Sequence, residues 1–289
     1  MKRKLISPSS LYTLPLIVLL LVFTLFPLIF SLIISFSQWN PVAGLEWKFI
    51  GGQNYVKLFI DERFLNSLIV TAKIACAALS TEFLLGLGLA LLFNKLTKGQ
   101  NVLIALIASS MATPAVVAAS FFRMFFHESY GEINKILALF GITGPAWLAD
   151  MKIAPLAIII IDVWQWTPFF LLMLLAGIQT IPKAYYESAE VDGAGTFQIF
   201  RRITFPSLIP FMSLALLLRL MDLVKLCDSI FVLTYGGPGS VTETAVLYDY
   251  KVAFTWWDTG YAAAISYVLL AISLIICMLI IRNIRRFRG

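Results

Sequence analysis

Apolar residues run along this chain in six long stretches, at 11–36, 66–93, 102–126, 154–177, 207–234 and 261–281. Between them, charge, glycine, proline and tryptophan are concentrated in short connections. Each stretch reaches the ~20 residues that a helix needs to cross ~30 Å of hydrocarbon. A helix also satisfies its own backbone hydrogen bonds, as a lipid-exposed segment must. The pattern therefore predicts an all-α integral membrane protein with six transmembrane helices. Residues 1–10 form a short N-terminal segment and 11–289 a single transmembrane domain, with no internal repeat. The first stretch holds Pro15 and Pro27, is long for a secretory leader and lacks a cleavage site, so it is read as a retained span.

Composition agrees. Of 289 residues, 60% are hydrophobic and 13% charged, and the mean hydropathy of +0.88 excludes a soluble globular domain. The net charge of +6 does not point to nucleic acid, because Lys and Arg gather at the ends of the apolar stretches. Twelve of them (at 2–4, 95, 98, 183, 201, 202, 282, 285, 286 and 288) fall in one set of connections and seven in the other. That bias predicts cytoplasmic termini and a cytoplasmic connection around 182–210. Cys76, Cys227 and Cys277 sit singly in apolar surroundings, and neither a disulfide framework nor a metal site is indicated. His127, at a membrane edge, is read as structural. Trp39, Trp47, Trp256 and Trp257 fit an interfacial aromatic belt.

The longest connection of mixed polarity is Pro182–Pro210. Pro182 suits the first turn of a helix and Asp192-Gly193 its end. Ala184, Ser188 and Ala189 give that helix a face that another protein can approach closely. Glu187, Ser188, Ala189, Gly193, Ile203 and Pro206 follow the spacing E-A-A, three residues, G, nine residues, I-x-L-P, with Ser188 for the second letter and Phe205 for the leucine. The segment resembles the EAA signature of binding-protein-dependent ABC importer permeases. Phe231–Phe254, with its L-T-x-G-G-P run at 233–238, and Asp162–Gly195 resemble the sugar-type branch, similar to the first permease of maltose or glycerol-3-phosphate systems. The likeness extends over essentially the whole chain.

The resemblance implies a type I ABC importer permease fold with 182–206 as a cytoplasmic coupling region. Glu187, Ser188, Ala189, Asp192 and Gly193 would contact an ATPase. It also implies several partners: an ATP-binding subunit dimer, a second, related but non-identical permease forming a heterodimer, an extracytoplasmic solute-binding protein and membrane lipid. The chain would sit in the cell (inner) membrane. No G-x-x-x-x-G-K-[ST] occurs, so ATP and Mg are expected in the partner ATPase and no cofactor in this chain.

Ionisable residues within spans need a partner or a function. Arg219, Asp222, Lys225 and Asp228 alternate in sign every three residues, which would let them neutralise one another along a helix. The alternative is a polar pathway for a hydroxyl-rich solute. Asp162, Gln165 and Trp166 in the fourth span offer hydrogen-bonding groups and aromatic faces suited to sugars. The expected pathway residues are Asp162, Gln165, Trp166, Arg219 and Asp222, with Glu82 either among them or paired to a basic group on a neighbouring helix. A gradient-driven carrier is the alternative function, although the paired inverted repeats common in such carriers are not visible. An intramembrane enzyme has little support, with one histidine and no H-E-x-x-H.

Overall fold

A computed structural model of the chain describes residues 8–96 and 98–286; the terminal basic residues Lys2, Arg3, Lys4 and Arg288 lie outside these. Helix α1 (Pro8–Ser35) is followed by a two-stranded hairpin, β1 (Ser37–Asn40) and β2 (Leu45–Phe49). The strands are antiparallel, with Ser37 opposite Phe49 and a register shift between Gln38 and Asn40. The apolar pattern had not announced this hairpin. The Asn40 side-chain oxygen closes its turn by accepting from the Val42 and Ala43 amides. Then come α2 (Gln53–Ile60), α3 (Glu62–Asn94), α4 (Gln100–Ala108), α5 (Ala115–Phe125), α6 (Glu132–Leu139) and α7 (Ala154–Gln179). After them lie α8 (Lys183–Val191), α9 (Thr196–Ile199), a single π-helical turn (Phe200–Thr204) and α10 (Phe205–Leu223). The described chain closes with α11 (Asp228–Leu233), α12 (Ala245–Phe254) and α13 (Thr259–Arg286).

Among the described residues, five helical stretches are long and apolar enough to cross a membrane: Tyr12–Ser35, Glu62–Asn94, Ala154–Gln179, Thr196–Leu223 and Thr259–Arg282. The stretch expected as a third continuous span, 102–126, is instead two helices, α4 and α5, separated by turns at 109–114. The break has a local cause. Pro114 disfavours helical geometry at Thr113 and supplies no amide of its own. The 207–234 stretch is also divided, into α10 and α11, and Lys225 falls in the turn between them. Hence the three-residue charge ladder does not run along one helix, and of its successive pairs only Arg219–Asp222 forms an ion pair among the described residues.

Contacts group the chain into two units, 1–61 with 249–270 and 62–248 with 271–289. In the first, the buried Asn54 amide donates to the Ser35 and Ser37 carbonyls at 2.9 Å each, satisfying the backbone where α1 gives way to β1. Lys57 lies over the Tyr261 ring at 3.8 Å and pairs with Asp258 at 3.4 Å.

The second unit is built on α3 and α7, which pack closely because Gly86 has no side chain. A Cβ there would stand 2.3 Å from Cβ of Phe170. Two apolar layers flank the middle of this unit. One joins Val70, Ile74, Ile158, Ile161 and Ile230. The other joins Ala90, Phe170, Leu174, Leu208 and Met212. The order of residues along α3, α7 and α10 leaves Glu82, Asp162 and Arg219 between the two.

Candidate functional site

Arg219 is the centre of the polar layer, and its side chain is essentially inaccessible. Its Nε and Nη2 donate to the two Glu82 oxygens at 2.8 and 3.0 Å, the planar fork matching the carboxylate. Nη2 also donates to Asp162, and Nη1 to Asp222 one helical turn along α10. Cζ lies 4.7 Å from the centre of the Trp166 ring. Three helices thus converge on one guanidinium, with carboxylates outnumbering it three to one. Glu82 is fully buried and Asp162 nearly so, whereas the Asp222 side chain is 54% exposed. The carboxylates on α3 and α7 therefore close the cluster internally, while Asp222 and the half-buried Trp166 keep exposed surface.

Gln165 lies on the same helix, yet no hydrogen bond joins it to the cluster among the described residues. Its Nε2 donates to the Thr113 carbonyl at 2.7 Å, in the break between α4 and α5. Sequence reasoning missed that break and its partner Ser110, whose hydroxyl lies 3.1 Å from the Trp164 carbonyl. The available signal was Pro168, which stands four residues beyond Trp164 and cannot supply the amide that this carbonyl requires.

Helix α8 presents a different chemistry. Lys183, Glu187 and Ser188 are exposed, as are Asp192 and Gly193 just beyond its end. Its C-terminus is closed by two backbone bonds, Gly193 N to Glu190 O at 3.0 Å and Ala194 N to Ala189 O at 2.9 Å. This arrangement needs a left-handed residue, and Gly193 has φ +75°. Large apolar side chains at Val191 (88% exposed) and Phe197 (74%) stand uncovered beside the polar ones. Beneath α8 lies a cavity of about 640 Å³ lined by Lys95, Ile178, Tyr186, Glu190, Phe197 and Thr204, among others. Tyr186 and Thr204 share a hydroxyl–hydroxyl bond of 3.2 Å that ties α8 to the π turn leading into α10. The coupling candidates are thus gathered on one exposed element joined directly to two spans.

The loop 234–244 is pinned to the start of α3. Arg63 donates through Nε and Nη2 to Glu243 at 2.7 and 2.9 Å, and the Ala245 amide donates to Thr71 Oγ1 at 2.9 Å. A separation of 180 residues gave no sequence signal for the Arg63–Glu243 pair. His127 stacks on Tyr130 with ring centres 3.5 Å apart and accepts from the Ser129 amide, a local packing role. No cluster of His, Cys, Asp and Glu suited to a metal occurs among the described residues.

Residues 82–287 match the family model described as binding-protein-dependent transport system inner membrane component. The chain is 37% identical to the trehalose/maltose transport system permease protein MalF of Thermococcus litoralis, over 96% of this chain and 93% of that one. It is 34% identical to the sulfoquinovosyl glycerol transport system permease protein SmoG of Agrobacterium fabrum, over 94% and 88%. Among solved structures, a bacterial ABC transporter involved in import of the acidic polysaccharide alginate superposes with a TM-score of 0.84 at 24% identity, covering 96% of this chain and 94% of that one, a likeness of fold.

Proposed function

The chain belongs to the family of binding-protein-dependent transport system inner membrane components, and on that premise we propose that it is one permease subunit of an ATP-driven importer for a carbohydrate or similar hydroxyl-rich solute. Its relatives' names support the solute class: trehalose and maltose for one, sulfoquinovosyl glycerol for another. A solved relative of the same fold is complexed with an alginate pentasaccharide-bound periplasmic protein. The observation that carries the reading is the exposed α8 with its glycine cap and uncovered Val191 and Phe197, an element shaped for a partner and linked at both ends to spans.

On this reading α8 faces the cytoplasm, as do both termini, and Glu187, Ser188, Ala189, Asp192 and Gly193 dock on a separate ATPase. That subunit dimer holds ATP and Mg. A second, related permease completes the pathway, since the spans of one such chain enclose too little space for a sugar-sized solute. An extracytoplasmic binding protein delivers the solute to the opposite side. ATP acts only through contacts that differ between the inward- and outward-open states, and α8 is where such contacts form.

Of the six pathway residues, Asp222 and Trp166 contact solute on this reading. Glu82, Asp162 and Arg219 hold them in place, and Gln165 holds the neighbouring break. The test is purification of tagged protein from its host in mild detergent. The expected result is recovery with an ATP-binding subunit and a second permease chain, with binding-protein screening against sugars and polyols naming the solute. Recovery without either subunit, together with ion-gradient-driven uptake in liposomes, overturns the reading.

A further inference from the structure

Pro168 leaves a backbone carbonyl of α7 without its helical donor, and the α4–α5 break answers it while taking a donor from α7 in return. Pro168 lies inside α7 and has no N–H, so the Trp164 carbonyl four residues earlier lacks its usual donor. In a membrane span such a carbonyl must find another. Ser110 Oγ, from the α4–α5 break, stands 3.1 Å from it. In return the Thr113 carbonyl, stranded immediately before Pro114, accepts from Gln165 Nε2 at 2.7 Å. Ser110 and Gln165 are both buried.

The Ser110 hydroxyl carries one proton but has two near-equal acceptors. The Ile107 carbonyl, in the last turn of α4, is also 3.1 Å away, and the Gln165 carbonyl lies at 3.4 Å. Only one of these bonds forms at a time. Thr167 supplies the other half of the exchange. Its hydroxyl is buried and has no hydrogen-bond partner among the described residues. It lies three residues after Trp164 on α7, and threonine hydroxyls in helices reach the carbonyl three or four residues back.

We propose that Ser110, Thr167 and the Trp164 carbonyl form a two-position hydrogen-bond exchange that sets the bend of α7 at Pro168 during transport. In the first position Ser110 donates to Trp164, joining α7 to the break, and Thr167 is unpartnered, as its hydroxyl is here. In the other position Ser110 donates to Ile107, Thr167 turns to donate to Trp164, and the bridge to the break through Ser110 opens. No carbonyl of the set loses its only donor in passing between them; the second position gains the Thr167 bond and gives up the bridge between α7 and the break, so one hydrogen bond is set against one helix contact. Gln165 keeps its bond to Thr113 in both and acts as the pivot. The location suits a positioning role. Asp162 and Trp166 of the Arg219 cluster lie just before Pro168, and α8 begins fifteen residues after it, so a bend there changes the angle between cluster and coupling helix.

This inference rests on the importer reading for its trigger, and the test separates the two. In a complex reconstituted with its ATPase and partner permease, Cys76, Cys227 and Cys277 are replaced by serine, and spin labels are placed at Leu156→Cys and Leu172→Cys, on either side of Pro168. Distances are measured with and without Mg-ATP and vanadate. The wild type is expected to show two populations whose ratio nucleotide changes. Thr167→Val should shift that ratio about fivefold toward the population joined through Ser110, the effect of one hydrogen bond, and Ser110→Ala should shift it in the opposite direction. Thr167→Ser should restore the wild-type ratio, and Pro168→Ala, which returns the amide, should give one population indifferent to nucleotide. Distributions for Thr167→Val and Pro168→Ala that match wild type overturn the exchange. A complex that hydrolyses no ATP counts against the importer reading instead. The exchange is then decided without nucleotide, by whether Pro168→Ala narrows the wild-type distribution; equal widths overturn it.

Discussion

Among the described residues, Arg219 is the one cation paired with the buried carboxylates Glu82 and Asp162. Replacing it by glutamine leaves two buried carboxylates without a cation. That is expected to destabilise the extracted protein by about 3–5 kcal/mol, and the double replacement Glu82→Gln/Arg219→Gln should be markedly less damaging than the sum of its singles. Thermal unfolding of the four proteins in detergent checks this, and additive losses would contradict the coupling. Asp249 gives a pH prediction. Burial pushes its carboxyl from the ordinary 3.8 up to about 6, with the donating Ser266 hydroxyl acting in the opposite sense. The folded chain therefore prefers the neutral acid. Its contribution to stability is complete below the ordinary value and is lost as pH rises through about 6. Asp249→Asn should be nearly as stable as wild type at pH 4 and progressively more stable relative to it by pH 7. Parallel unfolding curves across that range would refute the assignment.

At the level of elements, the α3–α7 contact and the cap of α8 are the sensitive places. Gly86→Val drives a branched side chain into the Phe170 backbone region, where even a Cβ is too close. The expected loss is about 1–3 kcal/mol of overpacking, visible as a lower unfolding temperature and weaker expression. Gly193 is a contrasting case. A side chain there meets nothing within 4 Å, so the penalty is the positive φ alone. Gly193→Ala should lower ATP-coupled transport while membrane insertion stays normal, and Gly193→Asn, which tolerates that conformation, should be milder. Equal transport in all three proteins would show that the cap is not part of coupling.

For the whole molecule, the prediction concerns sidedness. In a background with the three native cysteines replaced by serine, an impermeant maleimide applied to intact cells should label Ala43→Cys in the hairpin turn. It should label Ser188→Cys on α8 only after the membrane is opened. The reverse pattern would invert the topology drawn from the basic residues.

The apolar pattern by itself determined the class of the molecule and the number of its apolar stretches, since only a self-satisfied helix is stable in hydrocarbon and helix length is set by membrane thickness. It located α8 as well, because proline, glycine and charge spacing are local signals that need no tertiary partner. For Glu82 it left two readings, a pathway residue or the partner of a basic group on a neighbouring helix, and the structure shows the pairing, with Arg219. Tertiary structure decided the rest. In the β1–β2 hairpin Leu45, Trp47 and Phe49 alternate with Glu46 and Lys48, but over only five residues and with no such pattern in the partner strand, Ser37–Asn40. The division of 102–126 is stabilised by Ser110 reaching across to α7 and by Gln165 reaching back from it, contacts that span more than fifty residues. The charge ladder at 219–228 looked self-sufficient because residues three apart are neighbours on a helix. Instead α10 ends at Leu223, and Arg219 is neutralised from α3 and α7 as well as by Asp222. Local sequence fixes spacing along one helix, whereas the pairing of a buried charge is set by which helices meet, and that is known only once they are packed.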